Sequence, residues 1–256
     1  AHNVSETPQG NLKEIAPNVF SYIQPDGTWF INNMGLIVGK TESISIDTTS
    51  TERRNRSYIN AIEALTPNPV KLVVNTHHHA DHCHGIDDLR AFCQINKKQI
   101  PLYGNQFSID ELNKKFQYAM TEPNGFWEVP ILKPNVINDP IELFGQNIKP
   151  ISVFHGKALI NGYRLGNVAY LTDVSKIPDT SMEQLRNLDV LLLDCLRNEP
   201  HPTHFSVKES LEVARELKAK KTILIHMTHD LEYDALSKLL PESIYVGYDG
   251  LKINVN

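Results

Sequence analysis

Lys71-Leu72-Val73-Val74-Asn75-Thr76-His77-His78-His79-Ala80-Asp81-His82-Cys83-His84-Gly85 begins as an apolar strand and breaks into a loop with five of the chain's eleven histidines in eight positions. Imidazole nitrogens and carboxylate oxygens are the ligands of borderline divalent ions such as zinc, and a loop at a strand end can turn several of them inward. A solvated His-rich turn or a purification-tag remnant would also concentrate histidine. A tag sits at a terminus and does not interleave aspartate, so the stretch reads as a metal-binding loop.

Working outward, short apolar runs rich in β-branched residues predict strands at Val19–Ile23, Met34–Val38, Ser43–Asp47, Val70–Asn75, Ile148–Phe154, Asn167–Thr172, Val190–Asp194, Thr222–Ile225 and Ile244–Val246. Helical patterns lie between them at Glu52–Leu65, Ile86–Phe92, Ser108–Ala119, Met182–Leu188, Ser206–Ala219 and Leu231–Leu240. Ser108 with Glu111, and Ser206 with Glu209, have the S-x-x-E form of a capping box. Strands come first and strand–helix alternation follows, twice over. That order predicts an α/β fold, an αββα sandwich of two mixed β-sheets with flanking helices. The proline-interrupted stretch Glu122 to Phe144 is expected to be a loop or lid. The sequence carries no internal repeat or low-complexity tract.

Residues 1–14 are expected to form a loose N-terminal segment and residues 15–256 a single domain, which at 256 residues can bury a large core without disulfides. The apolar run around Val190 to Leu193 is too short to cross a bilayer, so no membrane partner is expected. With a formal charge of −5 and no run of Lys or Arg, the chain lacks the footprint of a nucleic-acid binder, and a small anionic substrate is the expected partner. Cys83, Cys93 and Cys195 are odd in number and lack C-x-x-C spacing, which argues against a disulfide framework or a structural zinc cluster. That cysteine usage makes a reducing cytoplasm the expected location, and the polar opening AHNVSETPQG reads as a loose terminus without the basic start and apolar core of a signal peptide. A homodimer is compatible with all of this.

His77-x-His79-x-Asp81-His82 resembles the H-x-H-x-D-H signature of the metallo-β-lactamase superfamily. The resemblance implies a dinuclear hydrolase whose remaining ligands are a His, an Asp and a His, each at a later strand end. His155 after Ile151-Ser152-Val153-Phe154, Asp173 after Ala169-Tyr170-Leu171-Thr172 and His226 after Thr222-Ile223-Leu224-Ile225 occupy that order. It then assigns His77, His79 and His155 to one metal, Asp81, His82 and His226 to the other, and Asp173 as the bridge. Two divalent ions, two aspartates and a bridging hydroxide leave about +1 in the cavity, which attracts an anionic substrate. The cofactors implied are two divalent metal ions; zinc leads, and manganese and iron also suit N/O ligands.

Two branches of the superfamily are echoed. From Ile15 to about His79, with Gln24-Pro25-Asp26-Gly27-Thr28-Trp29 and Ile46-Asp47-Thr48-Thr49, the chain is similar to the lactamase and glyoxalase II-like hydrolases, which act on carbonyl substrates. From about His79 onward, with Asp81-His82-Cys83-His84-Gly85, Leu171-Thr172-Asp173-Val174, His201-Pro202-Thr203-His204-Phe205 and His226-Met227-Thr228-His229-Asp230, it is similar to the phosphoribosyl cyclic phosphodiesterases, relatives of the tRNA-processing metallohydrolases. The chain thus reads as a composite, natural or engineered. The second part brings most of the ligands, so the leading expectation is phosphodiester hydrolysis of the cyclic phosphate type by a metal-bridging hydroxide. Thioester, lactone or β-lactam hydrolysis is the alternative, and a non-catalytic metal-binding protein is the alternative of another class.

Asp81 and His204 are the catalytic candidates. The helix start at Ser206 offers backbone N–H groups to a phosphate, and His204 beside it could bind a phosphoryl oxygen or protonate the leaving alkoxide. A solvated polar turn is the competing reading of His204. Asp47 is a candidate to orient a ligating histidine, His229 to stand behind the ligands, and His78 and His84 to face outward or stand behind the ligands. Trp29, Phe30, Phe126 and Trp127 are candidates to line the substrate mouth, or simple packing groups.

Overall fold

The computed structural model describes residues 10–24, 32–49, 51–74, 83, 86, 89, 93, 98–120, 132–143, 145–248, 251 and 253. The chain divides into two compact units, Ala1–Val136 with Lys252–Asn254, and Ile137–Leu251 with Val255–Asn256.

The first unit contains a seven-stranded sheet, ordered β1 (Asn11–Ala16), β2 (Val19–Ile23), β3 (Met34–Val38), β4 (Ser43–Ile46), β5 (Val70–Val74), β6 (Ile100–Gly104) and β7 (Leu132–Val136). Its helices are α1 (Glu52–Leu65), α2 (Gln106–Lys115) and α3 (Gln117–Met120). Tyr58 and Ile62 of α1 bury against Tyr22, Met34, Leu36 and Val70 of the strands, and Ile109 and Leu112 of α2 join Leu102 and Leu132. Cys83, Ile86, Leu89 and Cys93, spaced three and four apart, are buried in that second cluster.

The second unit repeats the plan with β8 (Ile141–Leu143), β9 (Gln146–His155), β10 (Ala158–Leu165), β11 (Val168–Leu171), β12 (Val190–Asp194), β13 (Lys221–Ile225) and β14 (Ile244–Val246), neighbours in that order. α4 (Asp179–Gln184) contributes Met182, and α5 (Val207–Leu217) Leu217, to a core with Ile151, Val153, Ile160, Leu171, Leu191 and Leu193. α6 (Tyr233–Leu239) adds Leu236 to a second cluster with Leu224, Ile244 and Val246. Each sheet begins with three antiparallel pairings and ends with three parallel ones. The two mixed seven-stranded sheets with flanking helices are the fold class the sequence pattern predicts, although β1, β6, β7, β8 and β10 are not among the nine expected strands.

Several expectations change. Residues 11–14, expected in a loose terminus, belong to β1, which pairs antiparallel with β2. The stretch expected as a loop or lid contains β7 and β8, each the edge of its sheet; an edge strand tolerates Pro134 because only one of its sides must pair. β10 holds Asn161-Gly162, a pair with turn chemistry, yet runs straight through it. A Cβ at Gly162 would stand 2.3 Å from Leu171 Cδ2, so the glycine serves close packing against β11. The helix assigned to Ser108 starts two residues earlier, because the Asn105 side chain accepts from Ser108 N–H at 2.7 Å and caps it. The Ser206–Glu209 capping box forms as read. Among the described residues no helix is long and apolar enough to cross a membrane.

Candidate metal centre

In the second sheet β9 and β11 both run antiparallel to β10 and therefore parallel to each other, while β11, β12 and β13 pair in parallel. The carboxyl ends of four strands thus share one sheet edge, the side where ligands bind in open α/β sheets. His155 is the last residue of β9, Asp173 follows β11, Asp194 ends β12 and His226 follows β13. Asp173 and His226 adopt left-handed backbone conformations, with φ of 59° and 64°. Such conformations cost a non-glycine residue about 1–2 kcal/mol and cluster where function needs a side chain aimed. Asp47, after β4 in the first unit, has the same feature at 60° and is buried; its N–H donates to Val74 O at 2.8 Å, beside the start of the His-rich loop in the chain.

Ligand atoms of His155, Asp173 and His204 lie within 4.8 Å of one another, and those of Asp194, His204 and His226 do likewise. The His204 ring stands 4.7 Å from His155, edge-on, and 4.7 Å from His226, stacked. Hydrogen bonds define what each ring offers. His155 Nδ1 meets the Thr203 carbonyl at 2.9 Å; a carbonyl only accepts, so Nδ1 carries the proton and Nε2 the lone pair a metal requires. His204 Nδ1 donates to Asp194 Oδ2 at 2.9 Å, which likewise leaves the lone pair on Nε2. The solvated-turn reading of His204 is wrong, since the residue is 9% exposed and tied to a carboxylate that is 0% exposed.

Burial holds His155 below the ordinary imidazole value, which suits a neutral ligand. Burial also acts to lower His226, but Asp173, by charge and by hydrogen bond, and then Asp194 outweigh it and bring His226 up to about 9. His226 Nε2 stands 3.3 Å from Asp173 Oδ1. In the metal-free protein a proton on His226 therefore balances the buried acids, at a position where a cation would replace it. Two buried carboxylates among three imidazoles, with the Nε2 lone pairs of His155 and His204 fixed by their outer hydrogen bonds, are a donor set that fits divalent ions.

His77, His79, Asp81 and His82 lie outside the described residues, as do His78, His84, Trp29, Phe30, Phe126 and Trp127. His229 is not buried behind the ligands: its side chain is 90% exposed and pairs only loosely with Asp230, at 3.6 Å. The expected phosphate seat at the Ser206 helix start is filled by the protein itself. Glu209 accepts from Ser206 N–H at 2.8 Å, and its carboxylate would repel an anion there.

Asp194 escaped the sequence reading. It accepts from Val174 N–H (3.1 Å), Phe205 N–H (3.2 Å) and His204 (2.9 Å), joining the turn after Asp173 to the loop of His204. Its signal was the pattern of an acid closing an apolar strand, Val190-Leu191-Leu192-Leu193-Asp194, shared with Asp47 and Asp173.

Comparison with known proteins completes this picture: residues 44–227 match the family model described as a beta-lactamase superfamily domain. The chain belongs to the metallo-β-lactamase superfamily. It is similar to a diphosphatase from the PhnP family, with 37% identity and a TM-score of 0.73 over 87% of this chain and 84% of that one. The metallo-β-lactamase fold protein YhfI from Bacillus subtilis shares the fold, with 18% identity and a TM-score of 0.64 over 86% of this chain and 90% of that one. An octanoyltransferase from Porphyromonas gingivalis is 30% identical over 185 residues, 70% of this chain. The chain spans 37% of that relative's length. Members of this superfamily are mostly metal-dependent hydrolases, and the fold typically binds divalent metal ions.

Proposed function

We propose that this protein is a dinuclear metal-dependent hydrolase of phosphodiesters, of the cyclic phosphate type, with His77, His79, Asp81, His82, His155, Asp173 and His226 as ligands. The observation that carries the reading is the buried Asp194–His204 pair set between His155 and His226. When bound, the ions supply an activated water and a Lewis acid. His204 then has its own task. The Nδ1–H bond to Asp194 orients the ring, so that Nε2 is aimed to hold a proton against a phosphoryl oxygen or deliver it to the leaving alkoxide. Asp81 completes the second metal site. Likeness at 37% identity to a PhnP-family diphosphatase supports attack at phosphorus. Acyl chemistry is favoured by the resemblance of residues 15–79 to carbonyl-cleaving hydrolases and by the name of the octanoyltransferase relative, most of whose length the chain does not span.

The test is His204→Ala assayed on an alkyl and an aryl phosphodiester, after metal analysis and beside a thioester, a lactone and a β-lactam. The variant should keep both metals and lose roughly 10²–10⁴-fold on the alkyl ester, the usual worth of a positioned acid–base group. On a p-nitrophenyl ester, whose leaving group hardly needs a proton, the loss should shrink. Turnover of thioesters or lactones with every phosphodiester untouched would overturn the proposal.

A further inference from the structure

The loop from Leu196 to Phe205 is braced on itself. Leu196 N–H donates to Phe205 O and Val207 N–H to Arg197 O, each at 2.9 Å. The Arg197 guanidinium bonds the carbonyls of Glu199 (3.3 Å) and Pro200 (3.2 Å). Two imidazoles ride on this loop, and Thr203 reads a third. The Thr203 carbonyl accepts from His155 Nδ1, while its N–H donates to His201 Nδ1 at 3.4 Å and its hydroxyl lies 3.1 Å from the same nitrogen. A backbone N–H can only donate, so His201 Nδ1 is an acceptor and the neutral ring carries its hydrogen on Nε2. One residue thus sets opposite tautomers in two histidines: His155 offers a lone pair at Nε2, whereas His201 offers an N–H.

That polarity rules His201 out as a neutral metal ligand through Nε2 and leaves it as a hydrogen-bond donor. Its ring lies 5.2 Å from His204, it is half-buried, and its Nε2 has no bond among the described residues. We infer that His201 is a specificity-determining residue whose Nε2–H donates to an oxygen of the group flanking the attacked phosphoryl, a second phosphoryl or a hydroxyl of the substrate. The inference rests on the phosphoester reading above.

Its test begins without metal or substrate. In ¹⁵N-histidine spectra of the metal-free protein, His201 should show the Nε2–H tautomer and His155 the Nδ1–H tautomer; an Nδ1–H tautomer at His201 overturns the inference. Calorimetry on the zinc-loaded protein then compares inorganic phosphate, glycerol 2-phosphate and pyrophosphate, with metal content checked after each titration. His201→Leu should bind phosphate within about twofold of the wild type and the probe with the recognised flanking group about five- to tenfold more weakly, the worth of one neutral hydrogen bond. A loss confined to pyrophosphate identifies a flanking phosphoryl, and one confined to glycerol 2-phosphate a hydroxyl. His201→Gln, whose amide N–H can stand near Nε2, should restore most of the binding. Equal weakening of all three probes, no weakening of either flanked probe, or loss of metal from His201→Leu overturns the inference. Probes that bind and discriminate while no phosphodiester is hydrolysed overturn the proposed function and leave the role of His201 standing.

Discussion

Asp194→Asn is the substitution whose outcome follows most directly from the structure. The carboxylate is fully buried; Oδ2 receives Val174 N–H and His204 Nδ1–H, and Oδ1 receives Phe205 N–H. All three neighbours donate, and an amide offers only one accepting oxygen. With that oxygen at the Oδ2 position, the new NH₂ faces Phe205 N–H, and one buried donor goes unsatisfied at about 1–3 kcal/mol. The other two bonds fall from charge-assisted to neutral, losing roughly 0.5–1.5 kcal/mol each. A stability loss of about 2–6 kcal/mol is expected, read as a shift in denaturant midpoint at constant slope. The catalytic effect travels through His204, so a loss of about 10²–10³-fold on an alkyl phosphodiester should accompany retained metal. Because Asp194 acts through His204, the double variant Asp194→Asn/His204→Ala should be no slower than His204→Ala alone. Losses that multiply in the double variant would show that the two residues act independently and refute the reasoning.

The metal-free protein should lose stability as the pH rises from 6.5 to about 9. His226 has a raised value, so its contribution is complete below the ordinary imidazole value and disappears as the pH passes through about 9; His155, lowered, acts on the acid side of that window. Thermal melts with chelator should show the decline and zinc-loaded melts should not; a flat chelated profile would remove the His226–Asp173 pair from the account. Gly156→Ala should destabilise by about 1–2 kcal/mol, because φ there is +62° and the new Cβ would sit 2.9 Å from Thr203 Cγ2. Since Thr203 anchors His155, zinc affinity should fall with it, and an unchanged melting temperature and affinity would contradict the geometry.

What was legible follows from what each residue type can announce. α1 and the Val190–Asp194 strand match their expected limits, because side-chain period and β-branching report local burial directly. β10 was missed, since a glycine at its centre weakens the strand pattern while the neighbour needing the space, Leu171, is invisible in one dimension. At the site, His155, Asp173 and His226 were singled out because each follows an apolar strand in the order the superfamily signature requires, and the second unit brings the three close together. Asp194 obeyed the same strand-end rule, but an acid that holds other groups in place leaves no mark beyond it. Thr203 left none at all, because it acts through its peptide group, which every residue possesses. Which atoms could bind a metal is therefore written in the side chains, whereas which of those atoms holds a lone pair is decided by one carbonyl and one N–H of a loop. A histidine motif names candidates, and the backbone that folds around it divides them into ligands and donors.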